Sequence, residues 1–489
     1  MALFEKGSRV YCVGIKGTGV SALAELLHAA GMRLSGSDTA DVFYTDAVLR
    51  SLGIPYHESF APEHIPADAD VVIHSAAYAP ETNCEMAEVV RRGLQVMKYT
   101  DALGAWSARF ESAGIAGVHG KTTTTALAGA LVRAAGLPAQ VLAGSAVSSF
   151  GGRSTLNNGD KYFIAETCEY RRHFLSFRPK HIVITAVESD HQDYFPTYES
   201  IRDAFVEYAL LLPEGGHLVY CADDQGAREV VELVKKEQRG IRFVPYGFSA
   251  EGKYRVSRYR VEAEKAYFDV EACAGSFTLS VPGKHNALNA AAALALIETL
   301  TETPANALSS GVLADGETLR RIKEGLDGFH GSKRRAEILG ERDGVLFMDD
   351  YAHHPTAIAA TIAGLKEFFP RRRLVVSFMS HTYTRTAALL DEFAASFEKA
   401  DVVILHKIYA SAREQYSGGV NGETLFEKTR ALKKDGVFYV HEHEEAAPFV
   451  RSLLKPGDLF VTMGAGDNWT LGEHLFNAGR EETLITENR

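Results

Sequence analysis

Tryptophan and cysteine are scarce in this chain of 489 residues, with two of the first and five of the second. The cysteines (Cys12, Cys84, Cys168, Cys221, Cys273) are scattered, and no C-x-x-C pair occurs. A disulfide framework or a thiolate zinc site is therefore not supported, and a reducing compartment is expected. Long apolar runs are missing as well. No stretch approaches the roughly 20 residues of a membrane span. Charges and a glycine precede the first apolar run, which is too short for a secretory leader. Both features predict a cytoplasmic protein with no membrane partner. Positive charge is in deficit: 52 Lys and Arg against 63 Asp and Glu give a net charge of −11. That argues against a nucleic-acid partner held by a basic surface. An anionic substrate would need positive charge focused in a cleft.

What remains is an ordinary globular composition, 46% apolar and 24% charged, in a length that suggests about three domains. The most informative run is Gly117-Val118-His119-Gly120-Lys121-Thr122-Thr123-Thr124-Thr125. A glycine turn leads through Lys-Thr into an apolar-periodic segment closed by Gly136, which reads as strand, phosphate loop, helix. Glycines let backbone N–H groups close around phosphate oxygens, a lysine adds a point charge, and a threonine hydroxyl suits Mg²⁺. The general P-loop pattern fails by one position, because Ile115 stands where its first glycine belongs. Gly-Lys-Thr alone is common by chance, and a threonine-rich helix start explains it equally well.

Upstream, Val10–Val13 reads as a short strand, followed by Gly14-Ile15-Lys16-Gly17-Thr18-Gly19, a helix over Ala22–Ala30 and a second strand ending in Ser37-Asp38. This is a βαβ unit with a nucleotide-type turn. Its glycines are spaced G-x-x-G-x-G rather than in the dinucleotide pattern, and Asp38 is placed to hold a ribose hydroxyl. A third strand, Val71–Ile73, ends in His74-Ser75. Taken alone, the unit fits an NAD site, a nucleotide-sugar site or a purely structural βαβ.

From about Trp106 a second region begins. Its strands end in Glu166, in Glu188-Ser189-Asp190-His191 and in Asp223-Asp224. Acidic and histidine residues beyond strand ends sit where open α/β sheets bind ligands. Glu166 and His191 are thus candidate metal ligands. Tyr254–Val281 alternates in short strands, and Asn286 and Asn289 share one face of the helix that follows. A third region alternates strands (Val345–Met348, Leu374–Phe378, Asp401–His406, Val437–Val440, Leu459–Met463) with helices near 355–369, 385–399, 422–433, 444–454 and 469–478. The pattern predicts a mostly parallel sheet covered on both faces. Candidate functional residues follow those strands: Asp350 and His353, then His381 and Arg385, Tyr409 to Glu414, and Gly464 to Asp467. Arg335 lies in a basic cluster at the entrance to the region.

Together these pieces resemble the Mur ligases, ATP-dependent enzymes that form peptide bonds in peptidoglycan synthesis, over essentially the full length. Val13–Gly19 with Ser35–Asp38 resembles the family's UDP-sugar region. Gly117-Val118-His119-Gly120-Lys121-Thr122 resembles its Gly-Thr-His-Gly-Lys-Thr loop, with Val118 in place of a threonine. Ala165-Glu166, Asp190-His191, and His285-Asn286 with Asn289 are similar to its metal and adenine elements. Asp349–Thr356 and Thr462–Asp467 are similar to its third-domain signatures. Two stretches depart. Ala165-Glu166-Thr167-Cys168-Glu169-Tyr170-Arg171 stands where many relatives read Ala-Glu-Ala-Asp-Glu-Ser-Asp, and Thr382 replaces an arginine of Gln-Pro-His-Arg-Tyr-x-Arg. Phe205 occupies the position where several later ligases carry a carbamylated lysine, consistent with the alanine-adding branch.

The resemblance implies an α/β fold of three domains: a Rossmann-like UDP-sugar domain (1–105), a central P-loop-type ATPase domain with a mostly parallel sheet (106–328) and a Rossmann-like C-terminal domain that binds the amino acid (329–489). It implies ATP and Mg²⁺ as cofactors and UDP-N-acetylmuramate and L-alanine as substrates of a monomer or homodimer. Lys121, Glu166, His191 and His353 would be catalytic, with Mg²⁺ held by Thr122, Glu166 and His191. Gly117, His119, Gly120, Lys121, Thr122, Thr123, Asn286, Asn289, Arg335 and Asp350 would bind ATP. Gly17, Gly19, Ser37, Asp38 and Ser75 would meet the UDP-sugar, and His381 and Arg385 the amino acid. Within the family the alternative is the recycling ligase that attaches a murein tripeptide. From other classes there remain an NAD-dependent oxidoreductase, which leaves the Lys121 loop unused, and a nucleotide-sensing module without turnover.

Overall fold

A computed structural model of the chain describes residues 4–237, 240–302, 311–410, 414, 416 and 418–478. They form two compact units, one from residues 1–188, 201–255 and 289–325, the other from 189–200, 256–288 and 326–489.

The first unit carries two sheets. In one, five parallel strands run in the order Tyr56–His57, Arg33–Ser37, Arg9–Val13, Val71–His74, Val96–Lys98. The central strand Arg9–Val13 is buried from Val10 onward, as a parallel strand covered on both faces must be. The strand order reverses on either side of it, which opens a crevice at the strands' carboxyl ends. The helix Thr18–Ala29 starts there, directly after Gly17.

The second sheet orders Arg242–Gly247, His217–Cys221, His181–Ile184, Glu111–Ala116, Tyr162–Glu166, Ala139–Val147 and Arg153–Asn157. All neighbours are parallel except the last pair. The hairpin of Ala139–Val147 with Arg153–Asn157 has no counterpart in the sequence-based reading. Its strands are rich in Ala, Gly and Ser, its register shifts between Leu142 and Val147, and Gly151 turns it at φ +74°. Little apolar alternation survives such a composition. The helix Lys121–Ala135 ends at Gly136 in the left-handed conformation, which lets the last carbonyls be capped without a Cβ penalty. Residues 290–297 of the helix Lys284–Thr301 are fully buried, as an all-apolar helix face requires.

In the second unit, Lys265–Val270 pairs antiparallel with Phe277–Leu279 and with the strand ending at Glu262. The third sheet orders Glu337–Arg342, Val345–Asp350, Asp458–Met463, Arg373–Phe378, Val402–Leu405 and Val437–Tyr439. Five strands are parallel, and Glu337–Arg342 adds an antiparallel edge. That edge also escapes the sequence reading, since it is half-exposed, charged, and interrupted by a register shift between Ile338 and Gly340. The helix expected over 385–399 is two shorter ones, Tyr383–Ala388 and Leu390–Ser396, which meet at Leu389 with φ −123°. Val345, Phe347, Val375, Ile404, Val450 and Phe460 form the core beneath this sheet. Among the described residues no helix is long and apolar enough to cross a membrane. Residues 411–413, within the expected Tyr409–Glu414 segment, lie outside the described residues.

Candidate active site

The phosphate loop takes its shape from two glycines. The strand Glu111–Ala116 delivers the chain to Gly117, whose φ of +141° and proximity to Thr185 Oγ1 leave no room for a Cβ. Gly120, at φ +79°, begins the helix, and a Cβ there would come within 2.7 Å of Asn289 Oδ1. Val118 donates its N–H to the Ala186 carbonyl (2.8 Å), so the valine is tolerated because the backbone makes the contact. Thr124 Oγ1 donates to Asn289 Oδ1 (3.2 Å). Asn289 therefore braces the loop, and its expected partner Asn286 lies in the other unit, donating from Nδ2 to the Pro282 carbonyl (2.7 Å). The free amide N–H groups of the first helical turn meet the positive end of the helix dipole here, a ready anion site. Thr122 is buried and Thr123 half-buried in that turn.

Lys121 Nζ sits 3.0 Å from Glu169 Oε2 and 3.1 Å from Oε1, and Glu169 is fully buried. Burial works against the lysine's charge, but Glu169, with Cys168 and Glu166, outweighs it and holds Lys121 above the ordinary lysine value. His119 Nε2 lies against the Glu188 carboxylate, and its carbonyl accepts from Thr185 Oγ1. Glu166 closes its strand and accepts the Gly144 N–H at Oε2 (2.9 Å). A Cβ on Gly144 would strike this carboxylate.

A cleft of about 930 Å³ lies within the same unit. Gly17, Thr18, Gly19 and Ser75 line it from the first sheet, and Gly144, Glu166, Cys168, Arg171 and Arg172 from the second. Gly19 is required because a Cβ there would reach within 2.7 Å of the Tyr99 ring. Ser37 and Asp38 do not line the cleft. The Ser37 hydroxyl donates to buried Glu85. Asp38 accepts the backbone N–H groups of Lys16 (2.7 Å) and Thr39 (2.9 Å) and the Tyr78 hydroxyl (3.1 Å). Both oxygens are thus engaged in shaping the glycine turn.

The second unit gathers the remaining candidates. Arg385, nearly buried, donates from Nε (2.9 Å) and Nη2 (2.7 Å) to Asp190 Oδ1 and from Nη1 to the His381 carbonyl (3.2 Å). The Asp190 carboxyl is held well below the usual carboxylate range. Burial opposes this, but the Arg385 guanidinium in direct contact prevails. Burial and Arg385 push His381 down to about 4 and His353 well below the ordinary histidine value. A neutral His353 whose Nδ1 bonds the Tyr351 carbonyl (2.9 Å) must donate there, so Nε2 carries the lone pair. The expected pair His381 and Arg385 is therefore present, with the arginine turned onto Asp190. His191 adopts φ +53° and donates its N–H to Asp190 Oδ1 (2.7 Å).

Asp350, lifted by burial despite Arg335, accepts the N–H groups of Ala336 (2.7 Å) and Ala352 (2.8 Å). Both oxygens again serve the backbone, here the turn that presents Arg335. Arg334 is pinned to Asp349 (2.9 Å) and to the carbonyls of Gly464 (2.7 Å) and Gly466 (3.0 Å). Arg335 instead lies over the Tyr351 ring at 4.8 Å, and among the described residues its guanidinium makes no hydrogen bond.

Domain models of one family match the chain in succession: Mur ligase family, catalytic domain, over residues 9–111; Mur ligase middle domain over 115–297; and Mur ligase, glutamate ligase domain, over 334–466. The UDP-N-acetylmuramate–L-alanine ligase of Treponema pallidum (strain Nichols) is 54% identical over 97% of this chain and 98% of its own. The chain belongs to the Mur ligase family. A Borrelia garinii ligase of the same name is 35% identical over 96% of this chain and 99% of its own. Among solved structures, UDP-N-acetylmuramate-alanine ligase from Thermotoga maritima matches with a TM-score of 0.75 at 23% identity, covering 97% of this chain and 99% of that one, and shares the fold.

In this Mur ligase, several cleft and loop residues escape a reading of the sequence alone. Glu169 was visible only as part of a departure from the family run, and nothing local marks it as the partner of a lysine 48 positions away. Arg171 ends the same run and Arg172 follows it, and a basic pair resembles an ordinary solvated surface. Asp190 was legible as the neighbour of His191, but its hold on Arg385 spans 195 positions.

Proposed function

We propose that the chain is a UDP-N-acetylmuramate–L-alanine ligase of the cytoplasm, joining L-alanine to the lactyl carboxylate of UDP-N-acetylmuramate at the expense of ATP in peptidoglycan biosynthesis. The observation that carries this is the 54% identity to the Treponema pallidum ligase of that name across nearly both full lengths. The three-part division at 105/106 and 328/329 belongs to the same proposal.

The lactyl carboxylate attacks the γ-phosphorus of ATP, and ADP leaves. The alanine amine adds to the acyl phosphate, the tetrahedral intermediate expels phosphate, and the amine's proton is lost. Two anions must meet in the first step, so charge neutralisation and positioning dominate. Lys121 and the free N–H groups at the start of its helix address the β/γ-phosphates. Arg335, free of hydrogen bonds among the described residues, is a cation available to a nucleotide. A Thr122 hydroxyl and a Glu166 carboxylate are hard oxygen donors of the kind Mg²⁺ takes. Mg²⁺ bound there would offset phosphate charge. His353, with its lone pair on Nε2, can accept a hydrogen bond from the incoming amine. Arg385, oriented by Asp190, and His381 form the polar surface for the amino acid.

The test is phosphate release with ATP, Mg²⁺ and UDP-N-acetylmuramate, comparing L-alanine, glycine, L-serine and the murein tripeptide. Release with L-alanine is expected. No release with any single amino acid overturns the reading, and preference for the tripeptide transfers the chain to the recycling branch.

A further inference from the structure

Arg171 and Arg172 both adopt left-handed backbone conformations, φ +52° and +58°. For non-glycine residues this conformation is unfavourable and persists only where the surroundings enforce it. Here they do. Phe174 packs between the rings of Tyr208 (4.4 Å) and Phe205 (5.3 Å). The Arg178 guanidinium gathers the carbonyls of Leu175, Ser176 and Phe177. Ser176 Oγ donates to Asp101 (2.8 Å), and Arg172 is tied to Glu207. Every neighbour is anchored, while the Arg171 guanidinium only rests over the Tyr170 ring at 5.5 Å, and among the described residues it makes no hydrogen bond. It lines the cleft that opens at Gly17 and Gly19.

We propose that Arg171 is a specificity-determining residue of this chain, its guanidinium binding an oxyanion of the sugar nucleotide in the cleft. The proposal rests on the sugar-nucleotide reading above. The backbone strain aims a cation into the cleft, and the stacked Tyr170 ring orders it beforehand, so that less side-chain freedom is lost on binding. A planar guanidinium suits either oxyanion such a ligand offers, the diphosphate or the lactyl carboxylate.

The test is Arg171→Asn beside Arg171→Lys in the full chain. Asparagine tolerates the left-handed backbone, so the charge is removed without adding strain, and a thermal melt verifies the fold. For Arg171→Asn the KM for UDP-N-acetylmuramate should rise about tenfold, the effect of one charge-assisted hydrogen bond. The kcat and the KM for ATP should stay within about twofold. Lysine should restore part of the loss, and raising salt should weaken the wild type more than Arg171→Asn. Binding of UDP-N-acetylglucosamine, which lacks the carboxylate, separates the two oxyanions. Equal weakening with both ligands assigns the diphosphate, and weakening only with UDP-N-acetylmuramate assigns the carboxylate. An unchanged KM and unchanged binding of both ligands overturn the proposal. Wild type that neither binds nor turns over UDP-N-acetylmuramate overturns the sugar-nucleotide reading instead.

Discussion

Two lysines follow left-handed glycines into the start of a helix, and the structure treats them in opposite ways. Gly14 (φ +83°) leads to Lys16 and the helix Thr18–Ala29, and Gly120 (φ +79°) leads to Lys121 and the helix Lys121–Ala135. The Lys16 side chain is fully buried. Its Nζ donates to the carbonyls of Thr39 (3.0 Å) and Asp41 (3.1 Å) and is paired with Asp46 and Glu58, both at 3.2 Å. Lys121 keeps 13% of its side chain exposed and meets one carboxylate, Glu169, with the Gly117 carbonyl. A glycine turn with a lysine is thus not a phosphate site by composition. The ammonium group of Lys16 already has four oxygen partners and closes its turn from behind, whereas that of Lys121 stands at a helix amino terminus, where an anion is favoured.

The sharpest way to break this comparison is to remove each charge in turn. Lys121→Met is expected to lower kcat by about a hundredfold or more, as loss of a preorganised charge on a transferring phosphoryl group does, while the protein stays folded. Phosphate release under saturating ATP and UDP-N-acetylmuramate measures it. Full turnover in Lys121→Met would remove the distinction between the two lysines.

The same contrast shows how far the sequence could be read. The parallel strands were legible because buried parallel strands are continuous apolar runs, as at Val10–Val13 and Val402–Leu405. The antiparallel edges were not, because Arg153–Asn157 is a short, mainly polar strand and Glu337–Arg342 mixes charge, glycine and exposure, so neither carries a clean period. The glycine turns and Lys121 were visible from spacing. The partners that decide what each residue does lie far along the chain: Asp38 folds back on the Lys16 N–H, Asn289 reaches Thr124, and Asp190 holds Arg385. Residue type told which groups could act, and only tertiary contacts told which carboxylates, Asp38 and Asp350 among them, were already engaged by backbone N–H groups.

Lys16→Met should act on stability rather than chemistry. Removing one member of a buried pair leaves Asp46, itself 6% exposed, without its cation, at a cost of roughly 3–5 kcal/mol. Denaturant unfolding should show a lower midpoint with an unchanged slope, and the folded fraction should retain most of its kcat. A variant as stable as wild type would mean that the four contacts contribute nothing net. One that is stable but inactive would make Lys16 a functional residue after all.

The smallest expected effect is confined to acid. Burial tends to raise the Asp46 carboxyl, but the Tyr56 hydroxyl (2.6 Å), the Phe43 N–H (2.7 Å) and Lys16 hold it below the ordinary value of 3.8. The folded protein therefore binds this proton more weakly than the unfolded chain does. Its contribution to stability is complete above about pH 4 and is lost as the pH falls through the depressed folded value. Asp46→Asn, which cannot titrate, should unfold with a shallower dependence on pH over roughly pH 2–4, measured as the denaturant midpoint at each pH. Equal slopes for Asp46→Asn and wild type would place the weight of the Lys16 clamp on the carbonyls of Thr39 and Asp41, and the contrast with the single carboxylate at Lys121 would then rest on dipoles rather than on charge.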